Sequence, residues 1–420
     1  MKTYAIMQLG CKVNDYEATY VKEQLNNYFK EVNFKDKADI YLIFTCCVTN
    51  MAEAKTRKFI HAARRNNKDA LIVAIGCLSQ IKGDSEDFKD CDLIIGSSKK
   101  NQIVDFILAN EKGYKVDKQI SNEFEDLFIE SYPGKSRAFL KIQDGCNQFC
   151  NYCIIPYSRG RERSANHINV INQAKTLSKT RKEIVLTGIH TGRYNDGEYN
   201  LYKLLKDLKQ IDDLKTIRLS SIEMTEVTDE IIELMKEDSK IAHHLHIPIQ
   251  AASNEILKAM NRPYTLEDFK QKVEYIRSRI KNISISTDLI VGYPGESDEI
   301  FEKSLNDLKE IGFSFIHIFP YSRKLGTVAD KLDNHIDPQI KKKRVSIVSE
   351  LETQITLDYK KTFINKDVEI LIEKCLNNKS YGYTKEYIYT SIYGEFEIGD
   401  IINAKIISVD TNEVKAVVIK

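Results

Sequence analysis

Short apolar runs of strand length alternate with helix-length amphipathic stretches through most of the 420-residue chain, and this alternation restricts the fold more than any other feature. Parallel strands cannot be joined by a hairpin, so the chain must cross back over the sheet, and a helix is the usual crossover. Residues 3–9, 39–45, 70–76 and 92–96 (TYAIMQL, DIYLIFT, ALIVAIG, DLIIG) form the first set of apolar runs. Between them, residues 14–30 place Tyr16, Tyr20, Leu25 and Phe29 four or five apart, and residues 51–65 carry Phe59, Ile60 and Ala63 on a basic helix. The fold class is therefore α/β, beginning with an open parallel sheet domain over residues 1–115. A polar stretch, 111–137, with turn residues in SYPGKSR, marks the domain boundary.

Strand-like runs resume at 138–143, 183–188, 216–223, 244–249, 282–292 and 313–319, separated by helical stretches at 167–178, 201–209, 229–236, 266–280 and 299–311. Six consecutive βα units over residues 132–360 predict a full or partial (β/α)6 barrel. Residues 338–361 read as one helix. Residues 361–420 then change to alternating strands with glycine-centred breaks, which predict a small antiparallel β-barrel.

Composition limits the function classes. Lys plus Arg number 62 against 61 Asp plus Glu, so a general basic coat is excluded and any nucleic-acid contact has to be local. No window approaches eighteen uninterrupted apolar residues, and the Met1 end runs straight into a strand, so the expectation is a soluble cytoplasmic protein with no membrane partner. Nine cysteines, an odd number without an export signal, point to ligands or core residues rather than disulfides.

Cys146, Cys150 and Cys153 form C-x3-C-x2-C directly after the first barrel strand, where loops at the carboxyl ends of barrel strands line active sites. Thiolates at this spacing suit an iron-sulfur cluster or zinc. A closed zinc site wants a fourth protein ligand, and the next His downstream is His167. A four-iron cluster held by three thiolates instead leaves one iron open. The loop, DGCNQFCNYCIIPYSRGRERS, resembles the signature of the radical S-adenosylmethionine superfamily. That resemblance implies a 4Fe-4S cluster whose open iron is chelated by S-adenosylmethionine, which yields a 5′-deoxyadenosyl radical able to abstract hydrogen from an unactivated C–H bond.

A second trio lies at three strand ends of the first domain: Cys11, Cys46 and Cys77. In an open parallel sheet the loops after the strands share one edge, so the three can converge on a further cluster, or be ordinary core cysteines. The segments LGCKVNDYEA, FTCCVTNMAEAK and AIGCLSQ resemble the amino-terminal domain of methylthiotransferases, a family that joins such a domain to a radical-cofactor barrel and a carboxyl-terminal TRAM module. The resemblance implies a second 4Fe-4S cluster on Cys11, Cys46 and Cys77 as sulfur carrier, with S-adenosylmethionine as both methyl donor and radical source. Cys47, Cys91 and Cys375 are then bystanders, Cys47 being a substitute ligand at most. It also implies cofactor contacts at Thr187 and Gly188 in LTG, Gln250 in HIPIQAASN, and Gly292, Pro294 and Gly295 in STDLIVGYPGE; each of these elements also reads as an ordinary βα turn.

LGCKVNDYEA, CIIPYSRGRERS and LTGIHTGRY are most similar to the branch that acts on threonylcarbamoyladenosine beside the tRNA anticodon. The branch acting on isopentenyladenosine more often carries Gln-Met where this chain has Lys12 and Val13, and the branch acting on an aspartate of a ribosomal protein usually carries Pro-Lys. A noncatalytic iron-sulfur or zinc protein that binds RNA is the alternative of a different class. The resemblance implies tRNA, an electron donor such as flavodoxin or ferredoxin, and a sulfur source as partners. Arg159, Arg161 and Arg163 suit phosphates or the threonylcarbamoyl carboxylate, with pairing to acids such as Glu162 as the alternative. Residues 362–420 hold seven Lys, no Arg and nine acids, which is not an RNA-grasping composition. Tyr381, Tyr383, Tyr387, Tyr389 and Tyr393 there are either base-stacking or packing residues. Lys55, Arg57, Lys58, Arg64, Arg65 and the KKKR run at 341–344 are the other phosphate candidates.

Overall fold

The computed structural model describes residues 1–419. The first domain is a six-stranded parallel sheet in the order β2-β1-β3-β4-β5-β6, made of β1 (Thr3–Gln8), β2 (Lys30–Glu31), β3 (Ile40–Thr45), β4 (Leu71–Gly76), β5 (Leu93–Ile95) and β6 (Gly113–Lys115). Every residue of β3 and β4 is buried. Leu42, Phe44, Val73 and Ile75 feed one hydrophobic layer, and Tyr41, Ile43, Ile72 and Ala74 feed the opposite one. A strand covered on both faces has to be apolar at every position, which accounts for the continuous runs in the sequence. The crossover helices are α1 (Lys12–Leu25), α2 (Asn50–Asn66), α3 (Cys77–Lys82) and α4 (Ile103–Leu108). Thr49 caps α2 by accepting from the Ala52 N–H.

The central domain is a curved sheet of β7 (Arg137–Lys141), β8 (Glu183–Thr187), β9 (Thr216–Leu219), β10 (His244–His246), β11 (Ser284–Val291) and β12 (Phe315–Pro320). β7-β8-β9 and β10-β11-β12 are two three-stranded parallel sheets, joined between β9 and β10 by the isolated parallel bridges Ile217–Ile241 and Ser221–His246. Among the described residues β12 does not pair with β7, so the barrel is partial. The crossovers are α5 (His167–Ser178), α6 (Leu201–Leu208), α7 (Asp229–Glu237), α8 (Leu266–Arg279) and α9 (Asp298–Ile311); α10 (Pro338–Lys361) follows β12 and packs on it. Helix α1 of the first domain packs on β7, at one margin of the barrel's open side. The stretch read as a linker contributes more than turns: Leu127, Ile129 and Tyr132 are buried in the barrel core.

A closed five-stranded barrel ends the chain, formed by β13 (Asp367–Leu376), β14 (Lys379–Thr384), β15 (Tyr389–Tyr393), β16 (Ile401–Val409) and β17 (Val414–Val418) in the order β13-β14-β15-β17-β16. It is not wholly antiparallel, because β15 and β17 close it as a parallel pair. Alternation along a strand sets which face is buried but not the direction of the partner, so this pairing is invisible in the pattern.

The first and central domains meet through a buried ion network. Glu17 on α1 receives Lys141 Nζ at 2.8 Å and Arg159 Nη1 at 2.8 Å, with Lys100 Nζ at 3.9 Å. Asp144 receives Lys141 at 2.7 Å, Arg163 at 3.1 Å and Arg159 at 3.3 Å. Burial opposes ionisation of Glu17, yet Arg159, Lys100 and Lys141 hold its carboxyl well below the usual range. Breaking such a cluster leaves buried cations uncompensated. Glu17→Gln is therefore expected to lower unfolding stability by about 3–5 kcal/mol, while Glu31→Gln, at the more exposed pair with Lys22, costs under about 1 kcal/mol. Urea melts of the two variants check this, and overlapping curves would contradict it.

Candidate metal centres and adjoining cavities

Cys11, Cys46 and Cys77 all sit at the carboxyl edge of the first sheet, as the strand-end reading expects. Cys11 is the N-cap of α1 with extended backbone, and Cys77 is the first residue of α3. Both thiols thus lie where helix N–H groups favour a thiolate. Gly10, at φ +92°, allows the close approach between loops: a Cβ there would stand 2.9 Å from Sγ of Cys46. Burial raises the thiol pKa of Cys11, which Arg159 opposes, and pushes Cys46 up to about 12. Cys77 is lowered by a hydrogen bond from the Cys47 thiol and, against burial, by the Arg159 guanidinium, whose Nε donates to Cys77 Sγ at 3.1 Å. Cys47 is therefore buried behind Cys77, while Cys375 lies exposed on β13.

The other trio occupies the loop after β7. Gly145, at φ +71°, begins it, and a Cβ there would fall 1.9 Å from the Arg161 carbonyl oxygen. Each of two cysteines has a cationic or polar escort that the sequence reading did not identify. Arg262 Nη1 donates to Cys150 Sγ at 3.4 Å, and its guanidinium also pairs with Glu223 and Tyr264. His190 Nδ1 lies 3.4 Å from Cys146 Sγ, with its Nε2 2.8 Å from Glu226. Burial disfavours the His190 cation, but Cys146, Glu162 and Glu226 outweigh it and raise the pKa. Burial pushes Cys153 up to about 12 and raises Cys150 against the opposing charge of Arg262. These escorts come from loops far along the chain, so no local spacing announces them.

Among the described residues, the donor sets that fall within 4.8 Å of one another are Cys146–Glu162–His190 and His246–Asp288–His317. Neither cysteine trio does so, whereas sulfurs on one tetrahedral zinc lie about 3.8 Å apart. A multi-iron cluster is larger than one ion and takes thiolates spaced more widely than that.

Arg159 connects the two trios. Besides Cys77 and Glu17, its Nη2 donates to the Asn14 side-chain carbonyl at 2.7 Å, and Asn14 Nδ2 donates to the carbonyls of Leu9 at 2.8 Å and Thr45 at 3.0 Å. Leu9 and Thr45 immediately precede the Cys11 and Cys46 loops. Arg159 and Arg163 are thus buried structural residues rather than phosphate contacts; of the three arginines only Arg161 is exposed, over the Phe149 ring. Arg57 and Arg64 are likewise engaged by Asp87 and Asp92, and Arg344 by Glu296 and Asp298. Lys55, Lys58, Arg65, Lys342 and Lys343 remain exposed.

An apolar cavity of about 210 Å³ adjoins the barrel trio, lined by Tyr152, Cys153, Ile154, Gln250, Ile290 and Phe319 among others. Gln250 faces it from a left-handed backbone, φ +64°, a conformation a non-glycine residue keeps only when its surroundings enforce it. Thr187 and Gly188 end β8, with Gly188 packed against Gln143. Gly292, Pro294 and Gly295 form the turn after β11, where the Gly292 N–H donates to Glu296 and Gly295 backs onto Asn334. These five residues sit at the same end of the barrel but do not line the cavity.

A second cavity, about 430 Å³, opens one step further down the barrel and is lined by Lys12, Arg137, Arg218, His244, His246 and His317 among others. Its floor comes from the last domain. Tyr387 stacks on His244 at 4.7 Å and on Tyr383 at 4.5 Å, and Arg218 lies over the Tyr387 ring at 5.0 Å. Tyr383 and Tyr387 are thus packing residues that plug the barrel.

Two family models match the chain: Radical SAM superfamily over residues 140–308, and Uncharacterized protein family UPF0004 over residues 3–96. Threonylcarbamoyladenosine tRNA methylthiotransferase MtaB of Bacillus subtilis (strain 168) is 38% identical, covering 97% of this chain and 94% of the relative. The tRNA-2-methylthio-N(6)-dimethylallyladenosine synthase of Thermodesulfovibrio yellowstonii is 34% identical, covering 96% and 95%. The solved structure of the radical S-adenosylmethionine methyltransferase TsrM from Kitasatospora setae shares the fold, with a TM-score of 0.58 at 12% identity over 77% of this chain and 75% of that one. Gly145→Ala should drive the Cys146 loop off its position. Anaerobically reconstituted chain carrying it is expected to bind about four fewer irons than the parent, by colorimetric iron assay; equal iron would contradict the steric reading.

Proposed function

The chain belongs to the methylthiotransferase family of the radical SAM superfamily, and on that footing we propose that it converts N6-threonylcarbamoyladenosine beside the tRNA anticodon to its 2-methylthio derivative. As a radical SAM enzyme it works with S-adenosylmethionine and a 4Fe-4S cluster, for which Cys146, Cys150 and Cys153 are the ligands in this reading. We assign a second 4Fe-4S cluster, the sulfur carrier, to Cys11, Cys46 and Cys77. When bound, the barrel cluster and cofactor supply the radical that removes the C2 hydrogen, a step demanded by a carbon with no leaving group.

The residues of the chain do the rest. Arg262 and His190 hold Cys150 and Cys146 in place, and Ile154, Ile290 and Phe319 keep water from the apolar cavity, where Gln250 supplies a polar contact. Arg159 fixes the Cys77 loop relative to the barrel. One observation supports this reading: Arg159, a few residues past Cys153, pairs with Glu17 and Asp144 and donates to Cys77, which ties the barrel loop to the sheet edge that carries the other trio. The neighbouring cavity favours threonylcarbamoyl over dimethylallyl, since its lining is rich in cationic and imidazole groups, which suit a carboxylate better than an apolar substituent. tRNA, an electron donor of the flavodoxin or ferredoxin kind and a sulfur source are the partners this chemistry requires. Among the described residues no helix is long and apolar enough to cross a membrane.

Nucleosides from cells lacking the protein, compared by mass spectrometry, should lose 2-methylthio-N6-threonylcarbamoyladenosine and retain its precursor; an unchanged level, with no second such enzyme present, would contradict the substrate. In the purified chain, Cys150→Ala should depress reductive cofactor cleavage far more than Cys77→Ala, while both abolish methylthio product. Equal loss of cleavage in the two variants would contradict the division of labour.

A further inference from the structure

The larger cavity has a donor set left over after its internal pairing is complete. Arg218 is bound by Glu183 and by the carbonyls of Thr384 and Lys385. Arg137 meets Glu373 at 2.6 Å and Glu183 at 3.4 Å, and Lys135 pairs with Asp15. Three groups remain. Among the described residues Arg137 Nε and His244 Nδ1 are buried with no hydrogen-bond partner, and their residues are 7% and 6% exposed. Lys12 extends from the start of α1 into the same space, where its charged surroundings are Arg137, Arg218, Asp288 and Cys11. An unpaired buried polar group costs about 1–3 kcal/mol, so this arrangement fits a chain that keeps these groups for a ligand.

The position of the cavity identifies that ligand. Ser286 lines the larger cavity and Asp288 the apolar one, two residues further along β11. The spaces are therefore offset by about 7 Å along the barrel. The C2–H bond and the N6 substituent leave an adenine ring in diverging directions. With C2 turned toward the apolar cavity beside the barrel cysteines, the N6 substituent points down toward Lys12 and Arg137. We propose that Lys12, together with Arg137 Nε and His244 Nδ1, forms a subsite for the carboxylate and hydroxyl of the threonylcarbamoyl group, and that Lys12 is a specificity-determining residue. The subsite deepens the substrate reading given above and rests on it. Arg137 cannot easily be tested alone, because its ion pairs with Glu183 and Glu373 are structural; Lys12, an exposed residue on the cavity lining, can be.

The experiment uses the full chain with both clusters reconstituted, and anticodon stem-loop RNAs differing only in the N6 substituent: threonylcarbamoyl, its neutral carboxamide, and dimethylallyl. The parent should prefer acid over carboxamide by about tenfold or more in kcat/KM, and by a similar ratio in equilibrium binding followed by fluorescence anisotropy. Lys12→Gln should bring both ratios within about threefold, through loss on the acid alone, and Lys12→Arg should restore most of the preference. A parent that treats acid and carboxamide alike, or a Lys12→Gln variant that keeps the full preference in binding, overturns the subsite while leaving the substrate reading intact. A parent that modifies only the dimethylallyl RNA overturns the substrate reading and the subsite together.

Discussion

The buried guanidinium of Arg159 is the constraint on which both cysteine centres depend. A cation at 0% side-chain exposure is tolerable only if carboxylates surround it, and Glu17 and Asp144 do so from two different domains. Once fixed, it reaches the Cys77 sulfur directly and the Cys11 and Cys46 loops through Asn14. Asp144, held by the same cations, precedes Gly145 and the Cys146 loop, and its carboxylate accepts from the Gly145 N–H at 2.8 Å. The register between the two trios is set by salt bridges rather than by a flexible linker.

That arrangement leaves the space below the trios polar. A barrel core is ordinarily filled by branched aliphatic side chains, but here Arg137, Arg218, His244, His246, Ser286 and His317 line it. The last domain makes this possible by inserting Tyr383 and Tyr387 as a floor under the guanidiniums of Arg137 and Arg218. Its contribution to the site is therefore architectural before it is nucleic-acid binding, in keeping with a net charge of minus two from seven Lys and nine acids over residues 362–420.

The sequence was most readable where local physics decides the outcome. Continuous apolar runs in β3 and β4 follow from burial on both faces, and the helix 338–361 begins at Pro338 behind the Asp337 cap, as its residues require. The placement of Cys11, Cys46 and Cys77 along one sheet edge, and of Cys146, Cys150 and Cys153 in one loop, was visible because strand ends and tight spacing are local. The partial closure of the barrel and the parallel β15–β17 pair were not, since both depend on long-range pairing. The RGRER run stayed open between phosphate contacts and pairing with nearby acids for the same reason: Glu17, which neutralises Arg159, lies 142 residues away. Arg262 and His190 beside the cysteines went unseen on identical grounds. The Leu127–Tyr132 stretch reads as a linker from its polarity, yet its few apolar residues are core.

On the proposed function, two separate clusters, each held by three thiolates of this chain, share one buried scaffold. Anomalous scattering at the iron edge from crystals of the anaerobically reconstituted protein tests it most directly. Two iron peaks are expected, one among Cys11, Cys46 and Cys77 and one among Cys146, Cys150 and Cys153, each with a coordination position that no side chain fills. A single peak, or density joining His190 to the barrel centre as a fourth ligand, would contradict it.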